Sequence, residues 1–102
     1  MEEPGKEDAM RIAAMQVELH AFWVHSLKEK RMEVRSLEAK LRNKFNVSVA
    51  EVAEQDIHQR IALGIAAIAA DSAQADSILD HVLNFIEDNT EAQVLSVERI
   101  FY

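Results

Sequence analysis

From Lys6 onward the chain contains one glycine, Gly64, and no proline. Tight turns usually recruit one of these residues, glycine because it tolerates positive φ and proline because its φ is already set. Their scarcity favours helices on composition alone, and corners have to be built from Asn, Asp or Ser instead. The chain has 102 residues, 49% of them hydrophobic. That is enough for one core without disulfide or metal staples, and too little for two.

Two segments carry a helical period. In the first, residues 27–45, Leu27, Val34, Leu37, Leu41 and Phe45 make one apolar stripe. Ser26 with Glu29 forms a capping box ahead of it, and Arg42 and Lys44 suit its C-terminal dipole. The second, residues 72–88, buries Ala75, Ile78, Leu79, Val82, Phe85 and Ile86, with Asp71 and Gln74 at its start and Asn89 as its stop. Residues 15–20, 47–53 and 93–102 alternate as half-buried strands do, and residues 61–68 are apolar enough for a central strand. Alanine is frequent in two of these, so a helical reading also fits them. The strand reading gives a ferredoxin-like βαββαβ sandwich of the α+β class, a four-stranded antiparallel sheet with two helices on one face. Its buried sheet face would carry Met15, Val17, Leu19, Ile61, Leu63, Ile65, Leu95 and Val97. The rival is an all-α bundle. Residues 1–9 read as a mobile N-terminal tail before a single domain at 10–102.

Composition excludes several chemistries. Without cysteine there is no disulfide, zinc–thiolate site, iron–sulfur cluster or thiol nucleophile. The acidic start, Glu2, Glu3, Glu7 and Asp8, does not resemble a signal peptide, and no apolar run is long enough for a membrane span. A cytoplasmic protein with no membrane partner is the expectation. The net charge of −7 is uneven: residues 27–46 hold seven basic and three acidic side chains, a net of +4, leaving −11 for the rest. A local positive surface can therefore exist on an acidic protein.

Three strings carry a family resemblance. They are Ser26-Leu27-Lys28-Glu29-Lys30-Arg31, the run Asn43-Lys44-Phe45-Asn46-Val47-Ser48-Val49-Ala50-Glu51-Val52, and Asp56-Ile57-His58-Gln59-Arg60 followed by Leu63-Gly64-Ile65-Ala66. In order and spacing the chain resembles the YlxP-like family of small uncharacterised bacterial proteins, from about residue 10 to the C-terminus. Two departures are local: His58 stands where an aromatic residue, commonly Trp, is frequent, and Phe22-Trp23-Val24-His25 replaces a more Gly/Pro-like turn. The resemblance implies the ferredoxin-like fold and so selects the strand reading. It implies no established activity. In some bacteria such proteins are encoded near transcription and translation factors, an association that points towards RNA.

Several residues invite a functional reading. Lys28, Arg31, Arg35 and Arg42 fall within an arc of about 60° beside the apolar stripe. Such a row can track the phosphates of RNA or a ribosomal component, or simply face solvent. Lys30 falls inside the apolar stripe, where it either snorkels outward or binds something. The open sheet face would expose Glu18 and His20 from the first strand and His58, Arg60 and Gly64 from the third. That face is the expected interface of a homo-oligomer, a dimer in the first instance, with Gly64 marking close approach. Glu18, His20 and His58 also suggest a metal or acid–base site, but no H-E-x-x-H or similar spacing supports it. No serine lies in a G-x-S-x-G context, and one glycine cannot build a phosphate loop. The expectation is a non-enzymatic interaction module without cofactor or metal.

Overall fold

The computed structural model describes residues 10–102; the expected tail, residues 1–9, lies outside the described residues. The order is β1 (Arg11–His20), α1 (Leu27–Lys44), β2 (Ser48–Ala53), β3 (Arg60–Ala69), α2 (Ser72–Asn89) and β4 (Gln93–Phe101). The strands form one antiparallel sheet in the order β2-β3-β1-β4. This is the ferredoxin-like α+β arrangement, and the all-α alternative is set aside.

Local chemistry sets the helix ends. The Ser26 hydroxyl accepts the Glu29 N–H at 3.1 Å, and the Glu29 carboxylate reaches back to the His25 N–H at 2.9 Å. At α2 the Asp71 carboxylate accepts the Gln74 N–H at 2.8 Å. The connections after the strands and helices use Asn46, Asp56, Asp71 and Thr90 rather than glycine.

One side of the sheet supplies the core. Ala13, Met15, Val17 and Leu19 of β1 and Ile61, Leu63 and Ile65 of β3 meet Val34, Leu37 and Leu41 of α1 and Ala75, Leu79, Val82 and Ile86 of α2. Each fully buried Leu or Ile is worth about 1.5–3 kcal/mol relative to exposure.

Two expected core residues are not buried. Leu95 is 41% and Val97 37% exposed. The pairing of β4 with β1 shifts between Glu18 and Leu19, so that Ser96 opposes Glu18 while Val94 opposes Leu19. Leu95 is the extra residue of this bulge, and Val94 takes the core contact instead. Beyond the bulge Val97 opposes Val17 on the helix side, but α2 packs over β1 and β3 and α1 over β2. The helices leave Val97 partly exposed.

Candidate functional site

Two surfaces follow from this frame: the outer face of α1 and the open face of the sheet. On α1, Lys28, Arg31 and Arg35 are exposed and make no ion pair or hydrogen bond among the described residues. Arg42 is also exposed, but its guanidinium donates to the Val49 carbonyl of β2 at 2.7 Å. It belongs to the contact between α1 and the strand, which removes it from the free row. The neighbouring helix has the opposite character, since Asp76, Asp80, Glu87 and Asp88 are its charged residues.

Lys30 does not snorkel. It is 1% exposed. Its ammonium donates to the Glu54 and Ile57 carbonyls, the latter at 2.8 Å, and pairs with the Glu51 carboxylate at 2.8 Å. Two carbonyls accept from the ammonium and one carboxylate lies beside its charge, which together offset the cost of burying it. The side chain pins the β2–β3 connection to the first turns of α1. A lysine inside an apolar stripe was the one sequence sign of this.

The expected cluster on the open face is only partly assembled. Arg60 lies 3.9 Å from the Glu18 carboxylate, and His20 opposes Arg60 in the β1–β3 register. His58 is not on β3. Residues 54–59 form a turn in which the Ile57 N–H bonds the Glu54 carbonyl and the Arg60 N–H bonds Ile57, so the strand begins only at Arg60. Among the described residues no three acidic or histidine side chains form a group able to hold a metal.

Glu54 is the residue that sequence reasoning missed here. It has φ of 58°, in the left-handed region that non-glycine residues seldom adopt. A side-chain hydrogen bond with Glu18 pushes its carboxyl above the usual carboxylate range, and burial and the Glu18 charge add to this. Arg60 and Lys30 pull the other way.

Gly64 does mark a close approach on the open face, but the approaching group is internal. A Cβ on Gly64 would lie 2.7 Å from Val52 Cγ1. The β2–β3 register shifts between Glu51 and Ala53, and Val52 is the bulged residue. Its side chain lies across the glycine. Beside it, Ala14, Ala50, Ala66 and Ile100 help line a shallow apolar hollow of about 380 Å³. Trp23 is half-buried, packs against the core and meets Phe22 edge-on, with ring centroids 5.3 Å apart. It serves as a lid on the core edge.

A four-stranded sheet backed by two helices, with one helix bearing free cations, defines a ferredoxin-like α+β domain. The chain belongs to the family described as Protein of unknown function (DUF503), which matches residues 12–99. Over 68 residues it is 41% identical to the Uncharacterized protein YlxP of Bacillus subtilis (strain 168), an overlap covering 67% of this chain and 74% of that relative. Among the described residues no helix is long and apolar enough to cross a membrane.

Proposed function

We propose that this domain is a non-enzymatic, cytoplasmic interaction module that contacts RNA, in the setting of a ribosomal component, through α1. The observation that carries this reading is the state of its cations. Lys28, Arg31 and Arg35 lie on one strip of α1 without partners among the described residues, whereas Lys30, Arg42, Arg60 and Arg99 are each engaged within the fold. Free cations on a rigid helix release counterions when they meet phosphates, and the contact then weakens with salt. The acidic character of α2 confines a polyanion to the α1 side of the helical layer.

Binding to ribosomal RNA, titrated at several salt concentrations, tests the proposal. Three phosphate contacts predict a slope of about −2 to −3 in log affinity against log salt. Arg31→Gln with Arg35→Gln is expected to flatten that slope by about two-thirds, in the proportion of contacts removed. Affinity that ignores both salt and these substitutions rejects the reading.

A further inference from the structure

The sequence places self-association on the open sheet face. The free edge of β4 is a stronger candidate. No residue of β4 is fully buried, whereas β1, β2 and β3 each contain buried positions. Exposed apolar side chains project from both of its sides. Val97 and Phe101 oppose Val17 and Ala13 on the helix side, and Ile100 opposes Ala14 on the open side. Among the described residues the strand pairs only with β1, so its outer edge presents backbone donors and acceptors that an extended chain can complete.

The other edge of the sheet is not available in this way. β2 has six residues and a bulge at Val52, and the Arg42 guanidinium already occupies its Val49 carbonyl. Shortness, a bulge and a cation at the edge are the devices that discourage strand addition. β4 is nine residues long and contains neither lysine nor proline. Its bulge at Leu95 limits regular pairing only towards its start.

We infer that β4 pairs antiparallel with β4 of a second copy of this chain across a two-fold axis, joining two four-stranded sheets into one of eight strands. The strand's own sequence selects a second copy. Full overlap of residues 93–101 centres on Val97, which then faces its equivalent, while Glu98 faces Ser96 of the other copy. Moving the centre one or two residues towards the C-terminus would oppose Glu98 to Glu98 or Arg99 to Arg99, which like charge disfavours. In this arrangement each α1, which packs on β2, lies at an outer flank of the dimer. Seven strand spacings put the two β2 strands about 34 Å apart, and both rows of free cations stay open.

The absence of native cysteine makes the test direct. Opposed residues of an antiparallel pair have Cα atoms about 4.5–5.5 Å apart, within the range of about 4.4–6.8 Å that a disulfide spans. Without nucleic acid, the full chain is expected to sediment at twice 11.5 kDa. Under mild oxidation Val97→Cys is expected to lock as a covalent dimer, while Ile68→Cys on the open face forms no cross-link and runs as a monomer under denaturing, non-reducing conditions. Val97→Lys is expected to give a monomer with unchanged circular dichroism and a melting temperature that is lower than the parent's and no longer depends on protein concentration. A monomer at every concentration, or a dimer that Ile68→Cys locks and Val97→Cys does not, overturns the inference.

Discussion

The two edges of the sheet differ although both belong to strands of the same fold. β2 is held from behind by two long cations of α1, Lys30 on its Glu51 side chain and Arg42 on its Val49 carbonyl. Among the described residues the charged tether of β4 is Arg99, which reaches Asp80 at 2.7 Å and Asp76 at 3.7 Å on α2. The helical layer sits over β1, β2 and β3, so β4 projects beyond it with apolar residues on both sides. One edge is closed by side chains of its own molecule. The other is left for a partner, and the charge on α1 is divided accordingly between holding β2 and facing outward.

The largest effect is expected where β2 is held most tightly. Lys30→Met leaves Glu51 without its cation and two carbonyls without their donor. Breaking a buried pair in this way costs about 3 kcal/mol or more. Denaturant unfolding should show that loss, with faster amide exchange at residues 54–60 and little change in β4. An unaltered stability would mean that the β2 edge is held by packing alone.

Arg42→Ala is expected to cost about 1 kcal/mol, the net worth of one hydrogen bond. It should leave the salt dependence of RNA binding nearly unchanged, unlike the Arg31 and Arg35 substitutions. If it flattens the slope as they do, Arg42 leaves Val49 for phosphate, and the division of α1 into holding and free cations fails.

The smallest effect is expected at Glu54, where β2 ends. Its folded-state carboxyl is held above the ordinary range, first by the hydrogen bond with Glu18, so the native state binds this proton more tightly than the unfolded chain. The resulting stabilisation is fully present below the unfolded carboxylate value and is lost as pH rises through the raised one. Glu54→Gln should flatten the stability–pH profile across that window and leave it unchanged at higher pH in slope. A profile identical to that of the parent would remove Glu54 from the account.

Much of this was legible before folding. The caps at Ser26 and Asp71 and the stripes of α1 and α2 depend on residues three or four apart, and each is found where the spacing put it. The alternation of β1 and the apolar run of β3 likewise placed Met15, Val17, Leu19, Ile61, Leu63 and Ile65 in the core, where they are found, although Ala62, expected on the open face, is buried too. Reading failed where an extra residue changed the count. The bulge at Leu95 moved the core contact to Val94, and the turn at residues 54–59 took His58 off the sheet. Gly64 was correctly singled out for close approach, but its neighbour could not be named, because Val52 reaches it only through the β2 bulge.

The single glycine of the domain therefore serves packing rather than a turn, and the corners rely on polar residues. By itself the sequence determined the helices, the alternating strands and the uneven distribution of charge, since these arise from near neighbours along the chain. Only the tertiary structure decided which cations of α1 are spent and which are free. Lys30 meets oxygens 21 to 27 positions away, and Arg42 meets a carbonyl of the next strand. Such partners depend on strand register and helix placement, which bring distant residues together and leave no periodic mark in the chain.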